Sequence, residues 1–313
     1  MSQNSSQNQL NRHILTAGSF SGVVFVIPFI LMIFLGQIVC LGLPSSDSDT
    51  VEKQIKEVWL FIFEADLVHA EALLGALKKE YPDDRLVRLG SAYLSLEKGE
   101  YDQAEKKFID VISREKVSGN IKEKPVPVRH VISLAFRGLG YINLQKSDVF
   151  NAKADFGKAF FAHADIPSYI QFAIILRKYD KDFKVSEQVH GEILRSYPKG
   201  FPNNRIQYAI LKLEEGEKEE ADKLISGLEH QGYDAFDWAT FYSASNDISK
   251  AMDSLRIYLD RYRAYPLRCR QILRAVKSDV DFENFRKSPQ FNEWLEKATV
   301  ACGSTEKMSV KNV

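Results

Sequence analysis

Cysteine is scarce: Cys40, Cys269 and Cys302 are the three in 313 residues. Three cysteines make no disulfide framework and no cysteine-rich metal cluster. Net charge is absent as well, with 42 basic and 42 acidic side chains. A chain without basic excess is not built around nucleic acid, whose phosphates demand a positive face. Nor is this the apolar-poor composition of a disordered chain, since 45% of residues are hydrophobic and 12% aromatic. No GxSxG, GxxxxGK[ST], GxGxxG or HExxH motif occurs, so the nucleophile-elbow, phosphate-loop, dinucleotide and zinc-protease signatures are all missing. His13, His69, His130, His163, His190 and His230 share no metal-ligand spacing, and His69 reads as solvated. The acidic run 213–222, LEEGEKEEAD, reads as a solvated helix–turn–helix edge rather than a metal site. No catalytic residue, cofactor, metal or small-molecule substrate is expected.

Formal charge is also missing from one end. Arg12 is the one charged side chain in residues 1–43, and 14–46 carry none. The apolar run 20–43, FSGVVFVIPFILMIFLGQIVCLGL, exceeds the ~20 residues that cross a bilayer as a helix. Pro28 lies mid-run, where a membrane helix tolerates a kink. An uncleaved anchor over 18–43, a cleaved signal peptide and a lipoprotein signal ending at Cys40 all compete. The anchor is preferred, because the run is longer than the roughly 7–15 residues of a signal core. Cys40-Leu41-Gly42 is also a poor cleavage site, and Val39 a poor residue before a lipidated cysteine. Arg12 precedes the run, whereas Asp47, Asp49 and Glu52 follow it. The positive-inside rule then keeps the 1–17 tail in the cytoplasm and exports the remainder across the inner membrane. Gly18 and Gly22 form a lone GxxxG, a weak helix-packing signal. Cys269 and Cys302 are able to pair in an oxidising compartment, but sparse cysteine does not decide the orientation.

Beyond the run, small residues recur at a fixed interval. Ala70 and Ala104 are 34 apart, Ala152 and Ser186 are 34 apart, Ala221 follows after 35 and Ala251 after 30. The step from Ala104 to Ala152 is 48, the surplus fitting the polar, Pro-containing stretch REKVSGNIKEKPVPVR. A small residue lets one helix approach another closely, and an aromatic four later lies on the same face.

This pattern resembles the tetratricopeptide repeat, whose period is about 34. That family places the small residue where two helices of a hairpin cross. A Gly and an aromatic precede it by three to five residues. An aromatic follows four later, a small residue seven later and Pro twelve later. Gly99, Tyr101, Ala104 and Phe108 match in one repeat; Leu139, Gly140, Ala152, Phe156 and Ala159 match in the next. Pro82 and Pro198 lie twelve residues after Ala70 and Ser186. Ser186 in place of Ala, His190 in place of an aromatic and the short last spacing depart from the pattern and weaken the repeats near 168–200 and 233–262.

The resemblance implies an all-α solenoid of about six helical hairpins over 51–265, with an inserted loop at about 114–129. A polar linker at 44–50 joins it to the membrane helix. The segment DVDFENFRKSPQFNEWL resembles the terminal element of such arrays, giving capping helices over 266–300 and a disordered 301–313. In the family the first helix of each repeat lines a concave binding groove. Transferring that register places Ile55, Trp59, Leu89, Tyr93, Arg137, Tyr141, Gln171, Tyr179, Tyr233 and Phe236 there. Of these, Trp59, Tyr93, Arg137, Tyr141, Gln171, Tyr179, Tyr233 and Phe236 are the candidate protein-binding residues, for a partner protein or a second copy. The Lys and Asn that chaperone-binding members use to hold a terminal carboxylate are absent from these positions, where Arg137 alone is cationic. The resemblance further implies a membrane-anchored scaffold of a bacterial envelope machine, for a pilus, secretion, exopolysaccharide or flagellar system. A cytoplasm-facing docking receptor and an enzyme with the array as substrate-binding arm are the alternatives.

Overall fold

The computed structural model describes residues 46–115, 120–230 and 232–303, with the backbone alone for 46–50 and Tyr233. The tail 1–17, the span 18–43 and residues 304–313 lie outside the described residues. Among the described residues no helix is long and apolar enough to cross a membrane.

Those residues form α-helices and short 3-10 or π turns, with no strand among them. The first twelve helices pair as α1 (Ser46–Phe63) with α2 (Leu67–Glu80), α3 (Arg85–Glu97) with α4 (Tyr101–Glu115), and α5 (Val126–Gln145) with α6 (Val149–His163). The series continues with α7 (Ile166–Ile175) and α8 (Phe183–Ser196), α9 (Pro202–Glu214) and α10 (Lys218–Ile225), and α11 (Ala235–Ala244) and α12 (Ile248–Arg261). Three more helices follow: α13 (Pro266–Ser278), α14 (Glu283–Lys287) and α15 (Phe291–Ala301). Residues 46–50, expected as linker, open α1 instead; SDSDT holds no Pro or Gly to keep a helix from starting there. The inserted loop is shorter than expected, because Pro125 and Pro127 start α5 at Val126.

One turn recurs six times. A residue with positive φ ends the first helix: Ala65, Gly99, Ser147, Lys181, Gly216 and Asn246. An acid follows at once, in turn Asp66, Glu100, Asp148, Asp182, Glu217 and Asp247. Asp66, Asp148, Asp182 and Asp247 cap the second helix by accepting from the amide three residues on, worth about 1 kcal/mol each. Four residues past the acid stands the small residue, whose amide donates to the acid's carbonyl at 2.9–3.1 Å in every case. Ala70, Ala104, Ala152, Ser186, Ala221 and Ala251 are therefore all the fourth residue of their helix, and all are fully buried. The substituted repeat fits as well as the others, because Ser186 Oγ donates to Ala173 O at 2.9 Å. Glycine on α5 admits an aromatic ring from each flanking helix, α4 and α6. A Cβ on Gly138 would lie 2.2 Å from the Phe108 ring, and one on Gly140 2.8 Å from Phe156.

Five turns close the first helix with the acid's amide bonded to the carbonyl five residues back; the fourth spans six, Asp182 to Leu176. That extra residue forms a π turn, Leu176–Asp180, continuing α7.

The array closes on itself. Tyr262 Oη, at the end of α12, donates to Glu97 at 3.0 Å. From α13, Arg268 donates to Tyr101 Oη at 3.0 Å and Gln271 to Gly99 O at 2.8 Å. Arg261 donates to Phe63 O at the end of α1. A Cys269–Cys302 disulfide, with Cα atoms 5.7 Å apart, staples the end of α15 to α13. Ala301 and Cys302, expected in a disordered tail, are thus part of the cap. Its core holds Phe282, Phe285 and Trp294.

Candidate functional site

The candidate site is the face that the repeat register assigns to the groove, made by the first helices of the hairpins. Its N-terminal part is already packed. Trp59, Tyr93 and Arg137, expected as groove contacts, are buried at 6%, 6% and 4% exposure. Ile55 and Leu89 are fully buried too. Trp59 meets the edge of Tyr93 at 4.9 Å, and Tyr93 meets Phe108 at 5.0 Å. Tyr93 Oη donates to Leu134 O at 2.7 Å and accepts from Arg137 Nε at 3.3 Å. Arg137 also pairs with Asp165 at 3.0 Å. Burial would drive protons off this guanidinium, but the Asp165 and Tyr93 fields hold its pKa above the usual value. This burial has a simple cause. Repeat register tells which way a residue points, but not whether a neighbouring hairpin covers it.

The remaining candidates divide. Tyr141 is half-buried with its ring 5.3 Å from Phe156. Gln171 is half-buried, and Tyr179, on the π turn, is 49% exposed. Tyr233 falls in the 3-10 turn Gly232–Asp234. Phe236 is half-buried, 5.4 Å from the ring of Phe282 in an edge contact. Phe236 therefore touches the chain's own C-terminal segment.

That segment, the 3-10 turn Val280–Phe282 with Asp279 before it, is held by residues that no sequence motif marks. Arg177 donates through both terminal nitrogens to the Asp281 carboxylate at 2.8 Å, to Glu214 at 2.6 Å and to Gln207 at 3.2 Å. Lys178 reaches Asp279 at 2.8 and 2.9 Å and Asp281 at 2.6 Å. Arg177 is fully buried and Asp281 is 5% exposed. Burial alone would raise the Asp281 pKa; the Lys178 and Arg177 charges outweigh it and hold the carboxyl below the usual range. Beside it Gln207 Nε2 donates to Asp237 at 2.9 Å. Burial pushes Asp237 up to about 6, against that hydrogen bond. Asn284 completes the docking by donating to Ser243 O at 3.1 Å. A basic pair at 177–178 and DVDF at 279–282 are legible one by one. Nothing local in the sequence joins groups 101–104 residues apart.

Among the described residues no three His, Cys, Asp or Glu side chains gather as metal ligands. His69 is exposed and pairs with Asp66 at 2.6 Å. The acidic run around 213–222 pairs through Lys212, which reaches Glu215 at 2.9 Å and Glu217 at 3.2 Å. An open depression at the seam is lined by Glu64, Asp66, Asp260, Arg261 and Arg263.

No protein-family model matches the chain, and no curated protein matches it. Among solved structures it is similar to a tetratricopeptide repeat protein from Parabacteroides merdae ATCC 43184. The identity is 14%, over 82% of this chain and 99% of that one, with a TM-score of 0.43.

Proposed function

We propose that this chain is a non-catalytic protein-binding scaffold, a ring-closed array of tetratricopeptide-like hairpins tethered to a membrane by residues 18–43. One observation carries the reading: six hairpins share one turn, and each buries its small residue completely at the same place. Such a fold stacks identical units around shared core and offers extended surface rather than a reaction pocket. Its charged clusters fit this role, because Arg137, Arg177, Lys178 and Lys212 all engage carboxylates within the fold.

The array faces the extracytoplasmic side, with the N-terminus in the cytoplasm. Flanking charge supports this orientation, and so does the Cys269–Cys302 pair, since buried disulfides belong to oxidising compartments. In that place the scaffold serves the assembly of an envelope machine. Two readouts test the proposal. Alkaline phosphatase fused to the C-terminus should be active; an inactive fusion together with freely alkylated Cys269 and Cys302 in intact cells puts the array on the other side. Cross-linking of the full chain in its native membrane should give discrete assemblies. A chain that stays monomeric there and captures no protein is not a scaffold.

A further inference from the structure

The fourth hairpin differs from the others, and its difference has a chemical consequence. The added residue of the π turn sits where Arg177 and Lys178 turn inward. Inserted π turns recur at functional sites because they re-aim side chains at a small local cost. Here they aim two cations at one segment. The wall around them comes from three hairpins: Arg177 and Lys178 from the fourth, Gln207 and Glu214 from the fifth, Phe236 from the sixth. The segment 279–282 lies against this wall as a short peptide would. Its grip is made of side chains, with Asp281 taken bidentate by Arg177, Asp279 by Lys178, and Phe282 against Phe236. Arg holding a carboxylate through two parallel bonds is a geometry of recognition. As a means of closure alone it is poor, because apolar residues of similar volume close a fold at least as well as a buried ion pair.

We propose that Arg177 and Lys178 form a carboxylate-binding site for an acidic peptide, filled in cis by the chain's own Asp279-Val280-Asp281-Phe282. A partner peptide of the same chemistry, two carboxylates two residues apart followed by an aromatic, exchanges with that segment. The proposal rests on the scaffold reading and gives it a partner class.

The test uses the full chain and a fluorescein-labelled peptide spanning residues 275–290, with binding read by anisotropy. Wild type, already filled, takes the peptide weakly. The Asp279→Asn, Asp281→Asn chain keeps Phe282 but loses both cis carboxylates, and binds the peptide at least about tenfold more tightly. Adding Arg177→Gln returns it to the wild-type level, and a peptide with the same two Asn changes binds none of these chains. A folded double variant that binds no better than wild type makes the segment a permanent closure and overturns the proposal. Equal binding of the Asn peptide overturns it too. Should the double variant not fold, wild type decides: saturating peptide must speed amide exchange across 279–288, and unchanged exchange rejects the site. No outside protein enters these assays, so their outcome is independent of whether a scaffold partner is found.

Discussion

At the residue scale, two kinds of buried group set what a substitution does. Gly138 is the first kind. Its missing Cβ is the space the Phe108 ring fills, and Phe108 is fully buried with nowhere to retreat. Gly138→Ala therefore overpacks the core and should lower stability by about 1–3 kcal/mol in urea unfolding. Gly157, with open space where its Cβ would go, is the control; there Ala should stabilise by up to about 1 kcal/mol through helix propensity. Equal effects at the two sites contradict the packing described. Buried histidine is the second kind. Burial holds His190 down to about 4, against its hydrogen bond to Asn204, and burial with the nearby His163 charge holds His130 down to about 4. A depressed histidine favours the fold while neutral. The stabilisation is full above pH ~6.5 and drains away as pH falls towards 4, by about 2–3 kcal/mol for each group. Asp237, raised to about 6, has the opposite sign. Its contribution is full below about pH 4 and is lost as pH rises through 6, and it is smaller because the side chain is partly solvated. Urea midpoints should fall from pH 7 to pH 4.5, and His190→Gln should flatten that slope. An unchanged slope removes His190 from the account.

At the element scale, the hairpin and the cap behave differently. The Cys269–Cys302 bond closes a stretch with a sequence separation of 33 between its ends. Chain-entropy reasoning gives such a bond about 3–4 kcal/mol. Cys302→Ser should lose about that much in thermal or urea unfolding, and reductant should lower wild type to the same value. A variant as stable as oxidised wild type would mean that the staple does not hold the cap. The hairpins were legible in the sequence, and the cap's role was legible only in outline. Glycine, small residue and following aromatic all lie within ten residues, so Gly99, Ala104 and Phe108 announce one turn by themselves. The 34-residue interval from Ala152 located Ser186 despite its substitution, and a hydroxyl with a carbonyl partner fits where alanine does. Exposure along the first helices was not legible. Trp59, Tyr93 and Arg137 were placed on the correct helices, but what covers them comes from other hairpins.

At the scale of the whole molecule, closure changes how stability is shared. An open array of repeats is held by nearest-neighbour contacts, so its ends fray and unfolding spreads inward. In this chain α12 and α13 grip the end of α1 and the α3–α4 turn, through contacts separated by 165–198 residues. The three tryptophans report on the consequence, since Trp59 lies in the first hairpin, Trp238 in the sixth and Trp294 in the cap, all of them buried. Full chains retaining one tryptophan at a time, with Phe at the other two positions, should give coincident urea transitions, the mark of a single cooperative unit. Arg261→Met with Arg268→Met and Gln271→Leu removes the bonds to Phe63, Tyr101 and Gly99 while keeping much of the side-chain volume. In that background the Trp59 transition should separate from those of Trp238 and Trp294, because the first hairpin is left with one neighbour. Coincident transitions in the variant would show that the seam carries no cooperativity. Separate transitions in wild type would show that the array is open in solution.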